Sequence, residues 1–165
     1  MKKIALRIAA AVMTALMLVS VVGCAEAEPV RHEVDGGLSI VLPADFESVE
    51  VEGFAHAIAN DDVCVFFVRE SFDSLAAMGI EDITLEEYAR LYEVGYGLES
   101  RFAPDAGGNL VTTYDATVEG CRYFYYSTLR EDTDCFWTIS FACEEEDRDI
   151  YADLFAVWNS TITVE

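Results

Sequence analysis

The amino-acid sequence predicts an α+β domain in which a central antiparallel sheet is flanked by helices on both faces. The first indication is the predicted strand from Val63 to Glu70, whose first six side chains are all apolar. A strand that is apolar on both sides is buried on both sides. The second indication is the C-terminal half, where three strand-like segments follow one another across short turns and a final amphipathic helix comes last. Strands joined by tight turns pair antiparallel, and the helices then pack on the sheet.

The first half of the domain is predicted to contain three short strands and a short helix. Pro43 ends the first strand, and the segment 60–62 (Asn-Asp-Asp) has the composition of a turn between the second and third strands. Gly79 closes the short helix. In chain order these elements are Leu38–Leu42, Ala55–Ala59, Val63–Glu70 and the helix Ser71–Met78.

A longer helix begins after Thr84. The Thr84 hydroxyl can accept a hydrogen bond from the first turn while Glu87 reaches back to the Thr84 amide, which is the pattern of a capping box. Gly95 and Gly97 weaken the end of this helix, and a loop over 101–109 follows. Spacings of three and four residues place four apolar side chains on one face of the helix: Leu85, Tyr88, Leu91 and Tyr92.

The C-terminal half is predicted to be a strand meander followed by a helix. Four acidic residues at 144–147 precede the helix, where the helix dipole favours negative charge, so a solvated helix start explains them without a metal ion. The predicted elements are the strands Leu110–Val118, Cys121–Arg130 and Asp134–Cys143 and the helix Asp147–Asn159.

A disulfide is one interpretation of the cysteines in the predicted hairpin. If 131–133 forms a three-residue loop, Arg130 faces Asp134 and Cys121 then lies directly opposite Cys143. Directly opposite residues are about 4.5–5.5 Å apart, which suits a disulfide. A loop of two or four residues breaks this match, and the alternative is that the thiols are small, buried and reduced. The cysteines that follow position 24 are Cys64, Cys121, Cys135 and Cys143.

The same register divides the aromatic side chains of the hairpin between two faces, both of which are predicted to be core. One face would carry Tyr123, Tyr125, Leu129, Trp137, Ile139 and Phe141. The other would carry Phe124, Tyr126 and Phe136. Exposed aromatics on either face would instead form a binding surface.

The N-terminus has the pattern of a secretory signal. Lys2, Lys3 and Arg7 precede an uncharged stretch over 8–25 that ends in Val-Val-Gly-Cys at 21–24. This ending resembles the lipobox of bacterial lipoproteins, which implies cleavage before Cys24 and attachment of a diacylglyceryl group to its thiol. Two or more acyl chains form a stable anchor. The sequence thus predicts a signal peptide over 1–23 and a lipid anchor at Cys24 that tethers the protein to the outer side of the cell membrane.

Cleavage would leave 142 residues, of which 24–37 are predicted to be a lipidated tether and 38–165 one globular domain. The full chain has 31 acidic and 10 basic residues, a net charge of −21. Loss of three basic residues lowers the net charge to −24, and every remaining basic residue is Arg. We expect no nucleic-acid partner, because binding to nucleic acid depends on Lys and Arg that neutralise phosphates.

Catalytic and metal-binding patterns are not recognised in the sequence, so no catalytic residue, metal site or cofactor is predicted. Nucleophilic hydrolysis needs a base beside a Ser or Cys. The two histidines are His32, in the predicted tether, and His56, in a predicted strand. The hairpin cysteines resemble neither a redox Cys-x-x-Cys motif nor a zinc ligand set.

Four segments carry a recognisable pattern: Gly-Leu-Ser-Ile-Val-Leu-Pro (37–43), Thr-Leu-Glu-Glu-Tyr (84–88), Val-Glu-Gly-Cys-Arg-Tyr (118–123) and Phe-Ala-Val-Trp-Asn-Ser-Thr-Ile (155–162). Together they resemble the PsbP-like family, over about 37–164. This family includes extrinsic photosystem II proteins, a nuclear-transport factor and many bacterial lipoproteins. The resemblance implies an α-β-α sandwich and a role as a binding or assembly factor, but no family site residue can be transferred, because no diagnostic polar motif matches.

Two classes of function follow from these observations, and a structural or cation-buffering surface protein without a specific ligand is a third possibility. The first is a lipid-anchored binding or assembly factor without enzymatic activity, with an envelope protein as its partner. The second is a small-molecule-binding or hydrolytic domain that uses a pocket between the sheet and the helices. A cleft with converging polar groups would favour the second class.

Overall fold

The computed structural model describes residues 28–51, 54 and 56–164, which form two antiparallel sheets and three α-helices. The larger sheet has seven strands in the order β3-β4-β5-β9-β8-β7-β6, and the smaller has three in the order β1-β2-β10. The strands are β1 Val30–Val34, β2 Leu38–Leu42, β3 Glu47–Val49, β4 His56–Ala59, β5 Val63–Ser71, β6 Ala103–Pro104, β7 Leu110–Val118, β8 Cys121–Glu131, β9 Cys135–Glu144 and β10 Thr163–Val164.

The helices are α1 Phe72–Ala77, α2 Leu85–Tyr96 and α3 Arg148–Asn159, the last preceded by a 3-10 turn at Glu145–Asp147. The predicted capping box is confirmed, because Glu87 N donates to Thr84 Oγ1 at 3.3 Å and Thr84 N donates to Glu87 Oε2 at 2.9 Å. Gly97 ends α2 with a φ of 62°, in the left-handed region that glycine adopts readily.

One side of the seven-stranded sheet, here called the closed face, forms the main core. Alternate residues of β5, β9 and β8 point to it, and strand β2 and helix α3 cover them. Phe155 and Trp158 of α3 pack here with ring centroids 5.4 and 6.4 Å from that of Phe141. Buried strand residues of this face include Val63, Val65, Phe67, Phe124, Tyr126, Trp137, Ile139, Phe141 and Cys143.

The opposite side, here called the cleft face, is covered less completely. Leu75 of α1 and Tyr88 and Ala89 of α2 form a smaller cluster with Leu129 and Phe136 of the sheet. The predicted mixed α+β fold with antiparallel sheets is confirmed. The finer prediction, helices flanking the sheet on both faces, is not confirmed as stated, because the molecule is dominated by its sheets and a second sheet shares one face with α3.

The predicted boundary between tether and domain is wrong. Residues 30–34, assigned from the sequence to the tether 24–37, form β1 and pair with β2 from Val30↔Leu42 to Val34↔Leu38. The turn between them contains Gly36 and Gly37, whose φ values of 101° and 88° favour glycine. The Asp-Gly-Gly sequence at 35–37 is typical of a hairpin turn. Because β1 pairs with β2 across this turn, the folded domain extends at least to Val30.

The register of the β8–β9 hairpin also differs from the prediction. Asp132 N donates to Cys135 O at 2.9 Å, so the turn has two residues, Thr133 and Asp134, and not three. Cys143 lies opposite Phe124, and Cys121 pairs instead with Val118 of β7. The candidate disulfide between Cys121 and Cys143 is therefore not formed, and both residues are free thiols.

The shifted register also changes the predicted faces of the hairpin. A shift of three residues moves every side chain of one strand to the other face, because the side-chain period of a strand is two. Phe124 and Tyr126 share the closed face with Trp137, whereas Tyr123 and Tyr125 lie on the cleft face.

The predicted signal peptide 1–23 and the predicted lipidation site Cys24 lie outside the described residues. Within the residues that are described, no helix has the length and apolar character needed to cross a membrane.

Candidate functional site

A cleft of about 250 Å³ lies on the cleft face, between α1, α2 and the sheet. Three of its side chains form an exposed apolar rim: Met78, Leu91 and Tyr96 are 61%, 46% and 66% exposed. We call it the α2 cleft. Its lining comprises Val68, Glu70, Leu75, Met78, Ile80, Tyr88, Leu91, Tyr92, Gly95, Tyr96 and Thr138.

The α2 cleft follows from the periodicity of two elements. Tyr88, Leu91, Tyr92 and Tyr96 recur at spacings of three and four on α2, so they share the helix face that meets the sheet. Val68 and Glu70 are alternate residues of β5 and point to the same side of the sheet. Gly95 also lines the cleft and adds no side chain to it.

The floor of the α2 cleft is polar. Tyr88 Oη donates a hydrogen bond to Glu70 Oε2 at 2.7 Å and lies 3.3 Å from Thr138 Oγ1. The ring of Tyr88 stacks on Phe136 with centroids 4.7 Å apart. Burial raises the pKa of Tyr88, so its hydroxyl stays protonated and remains a donor to the Glu70 carboxylate.

Tyr92 and Tyr96 connect the α2 cleft to an uncovered part of the same sheet face. Their rings stack with centroids 4.3 Å apart. The pKa of Tyr92 is raised mainly by burial and, to a smaller extent, by the neighbouring Tyr114 hydroxyl on β7. Tyr96 also borders a groove of about 430 Å³ that contains Tyr114 and Glu99. The two depressions therefore meet at Tyr96.

Beyond this groove the sheet presents half-buried side chains, here called the open sheet face: Cys64, Phe66, Tyr114, Tyr123 and Tyr125. Tyr114 and Tyr125 stack in parallel, with centroids 5.0 Å apart and planes at 4°. Burial, followed by the neighbouring tyrosines, raises the pKa of Tyr125 to about 12. Glu144 lies directly opposite Tyr123 in the sheet. Burial, followed by the negative charges nearby, including those of Glu144 and Glu119, raises the pKa of Tyr123, so this end of the face is acidic.

The two histidines come together, although they are far apart in sequence. His32 on β1 has a lowered pKa because it is partly buried and lies near His56 on β4. The His56 ring packs edge-on against Phe67 at 5.6 Å. The Nε2 atoms of both rings are buried without a hydrogen-bond partner among the described residues. In this arrangement neither imidazole uses Nε2 to activate a hydroxyl or thiol.

Three of the cysteines are poor nucleophiles. Burial raises the pKa of Cys64, Cys135 and Cys143 to about 11 in each case. Because the thiolate is the reactive form, these thiols are largely inert at neutral pH. Cys121 differs from them in being exposed at the start of β8.

Asp132, Asp134 and Cys135 form one cluster of potential metal ligands, with ligand atoms within 4.8 Å of one another. The carboxylate of Asp134 accepts two hydrogen bonds from Arg69 Nη2, at 2.6 and 2.7 Å. Burial raises the pKa of Cys135 to about 11, so a metal ion bound here would have to displace the thiol proton. The ion pair and the hairpin turn explain why these three residues lie close together at the end of the hairpin.

A second polar cluster, around Arg130 and Asn159, is structural. Arg130 Nη2 donates to Asn159 Oδ1 at 2.7 Å, and Asn159 Nδ2 donates to Asp105 Oδ2 at 3.2 Å. Asp105 Oδ1 also accepts from the backbone of Gly107 and Asn109. Each of these polar groups has a partner within the cluster, so the network joins the end of α3 to the sheet and to the loop before β7.

The residues of the α2 cleft were not identified from the sequence as a site. The sequence pattern places Tyr88 and Leu91 on the apolar face of the helix and Glu70 at the end of a strand, without relating the two elements. The available signal was the position of Glu70, two residues after Val68 and therefore on the same side of β5. An acidic side chain facing inward on a buried strand is unusual unless it has a partner.

Comparisons with known proteins give a likeness of fold alone. No protein-family model matches the chain, and no curated protein is significantly similar to it in sequence. The solution structure of cyanobacterial PsbP (CyanoP) from Synechocystis sp. PCC 6803 is similar, with a TM-score of 0.50 at 12% identity, covering 87% of this chain and 96% of that one. This similarity supports a PsbP-like fold for the described domain.

Two further solved structures are similar at equally low identity. A protein of Bacteroides thetaiotaomicron has a TM-score of 0.50 at 10% identity, covering 78% of this chain but only 45% of that one. LpqN of Mycobacterium tuberculosis, described as involved in cell envelope biogenesis, has a TM-score of 0.47 at 11% identity, covering 82% of this chain and 88% of that one.

Proposed function

We propose that this protein is a lipid-anchored, extracytoplasmic binding or assembly factor without enzymatic activity, whose partner is an envelope protein. The anchor would be the acylated Cys24, which follows the lipobox-like ending of the N-terminal apolar stretch. The binding surface would be the α2 cleft together with the open sheet face, which are joined at Tyr96.

The exposed rim of the α2 cleft is the observation that carries this proposal. Met78, Leu91 and Tyr96 leave 46–66% of their surface exposed. A contiguous group of exposed apolar side chains beside a cleft is typical of an interaction site. Tyrosine, with a flat apolar ring and a polar hydroxyl, is enriched in such sites.

The net negative charge of the protein would favour a basic partner over an acidic one. Acidic residues outnumber basic residues by 31 to 10 in the whole chain. Three arginines of the domain are engaged in ion pairs with acidic residues: Arg69 with Asp134, Arg122 with Glu145 and Arg148 with Asp115. Oppositely charged surfaces accelerate association and exclude competing partners of like charge.

Hydrolytic chemistry is supported less well by the described residues. The thiols of Cys64, Cys135 and Cys143 have raised pKa values, and the buried Nε2 atoms of His32 and His56 contact no nucleophile. The small-molecule class remains relevant to the α2 cleft, and the chemistry of its floor is considered below.

Site-specific photo-crosslinking in native membranes tests the proposal. A photoreactive residue replaces Met78 at the rim of the α2 cleft or, as a matched control, Ile150 on α3; both side chains are 61% exposed. The full-length protein is used in each case. Amine-reactive reagents are unsuitable, because the two lysines of the chain, Lys2 and Lys3, both lie in the predicted signal peptide that cleavage would remove.

We expect one protein adduct in fixed ratio from position 78 and none from position 150. Adducts from position 150 alone, or the same collection of proteins from both positions, would show that the rim of the α2 cleft is not the binding surface.

A further inference from the structure

We infer that the α2 cleft binds an alkylammonium group. The ammonium group of the ligand would contact the Glu70 carboxylate, and its carbon chain would lie among the apolar residues of the cleft. The inference rests on the proposed function in placing the binding site at the α2 cleft, and it adds the chemical class of the bound group.

Glu70 is the only charged side chain among the residues that line the α2 cleft. One of its oxygens, Oε2, accepts the hydrogen bond from Tyr88. Tyr88 is itself held by stacking on Phe136 and by its contact with Thr138, so the Glu70 carboxylate is fixed before a ligand arrives. The other oxygen, Oε1, has no hydrogen-bond partner among the described residues and is free to accept from a ligand.

The sign of the ligand charge follows from the cost of burying Glu70. A neutral occupant would remove water from the carboxylate without replacing its interactions, which is unfavourable. An anionic occupant would add repulsion to this cost. An ammonium group compensates the charge and donates hydrogen bonds to the free oxygen.

The rest of the α2 cleft suits the remainder of such a ligand. The rings of Tyr92 and Tyr96 present aromatic surface, which attracts a cation held within about 6 Å of the ring centre. Val68, Leu75 and Ile80 provide apolar surface for a carbon chain. A volume of about 250 Å³ is small for a drug-sized ligand and is sufficient for a short alkyl chain with its charged end.

Two sources offer this chemistry: the side chain of a lysine on a protein partner, and a free alkylamine. Both place an ammonium group at the end of an apolar chain of a few carbons. The test therefore first measures whether the cleft binds an alkylammonium group at all. It then distinguishes a lysine side chain from a free alkylamine.

Isothermal titration of the full-length protein in a nonionic detergent, with n-pentylammonium as the probe, measures the shared chemistry. We expect saturable binding of n-pentylammonium, with 1-pentanol and hexanoate at least about tenfold weaker, because a hydrogen bond between two charged groups is stronger than one to a neutral group. Binding of 1-pentanol as tight as that of the ammonium probe would overturn the inference.

A pair of variants tests the role of Glu70. Glu70→Gln keeps the shape of the side chain but removes its charge, and we expect n-pentylammonium to bind about tenfold more weakly. Glu47→Gln, on the exposed strand β3, removes the same charge elsewhere and should leave binding unchanged. If Glu70→Gln has a lowered melting temperature, Tyr96→Leu is the second variant, and it should weaken binding of the cation but not of 1-pentanol. Unchanged affinity in both cleft variants would contradict the inference.

Titration with a lysine-containing peptide and with its acetyl-lysine form separates the sources. Binding of the lysine peptide that acetylation abolishes would assign the site to a protein side chain. Binding of n-pentylammonium without binding of the peptide would assign it to a small amine. Failure of every ammonium probe, together with a specific crosslink from position 78, would reject this inference and leave the proposed function standing.

Discussion

The two faces of the seven-stranded sheet differ in composition as well as in coverage. On the closed face, Phe67, Trp137 and Phe141 are at most 2% exposed and are packed against α3 and β2. On the cleft face, Phe66, Tyr114 and Tyr125 are only half-buried, and the floor of the α2 cleft contains a carboxylate and hydroxyl groups. The comparison indicates that one face stabilises the fold, while the other retains apolar and polar groups that a ligand could contact.

Strand β8 shows how the sequence separates the two faces. Phe124 and Tyr126 point to the closed face, whereas Tyr123, Tyr125 and Ser127 point to the cleft face. Phenylalanine has no polar group to satisfy, while the hydroxyl of a half-buried tyrosine can reach water or a ligand. Alternation within one strand therefore supplies both a core and an open aromatic surface.

The largest expected effect is a difference in stability between aromatic residues of the two faces. Phe155→Ala on the closed face removes a ring that is 0% exposed and should lower the free energy of unfolding by about 3–5 kcal/mol. Tyr125→Ala on the open sheet face should lower it by about 1–2 kcal/mol, because the ring is already partly hydrated. Urea unfolding of the full-length protein measures both values. Equal losses would contradict the division into a closed and an open face.

A smaller effect is expected from alkaline pH. The pKa of Cys143 on the closed face is raised from 9.0 to about 11, because burial disfavours the thiolate. Below pH 9 the thiol is protonated in both states and its contribution to stability is complete. Between pH 9 and 11 the unfolded chain loses this proton while the native state keeps it, so stability falls by about 2 kcal/mol.

Urea unfolding at a series of pH values from 8 to 11 measures this loss, and Cys143→Ala should make the dependence on pH shallower. The same slope in Cys143→Ala as in the original protein would show that the Cys143 thiol does not contribute.

Local sequence chemistry predicted much of the fold. The bounds of Leu38–Leu42 and Leu110–Val118 are those of β2 and β7, and the capping box at Thr84 is present. The turn at Glu119-Gly120 also forms where its composition indicates, with φ values of 53° and 88°. These features depend on residues close together in the chain, so a single sequence contains the necessary information.

Features that depend on register or on distant contacts were not predicted. The local sequence does not distinguish between β8–β9 turns of closely similar length. The predicted three-residue turn placed Tyr123 and Tyr125 on the wrong face relative to β9, and it also produced the incorrect disulfide. The hydrogen bond between Glu70 and Tyr88 joins residues 18 positions apart on different elements. Nothing in the local pattern of either element specifies that contact.

The most direct test of the central claim, that the α2 cleft is the binding site, is co-purification of a partner with tagged full-length variants from native membranes. Leu91→Ser changes the rim of the α2 cleft, and Ile150→Ser changes an exposed apolar position on α3. We predict that Leu91→Ser lowers recovery of the partner about tenfold at an unchanged melting temperature, while Ile150→Ser leaves recovery intact. Equal recovery of the partner with both variants would contradict the claim.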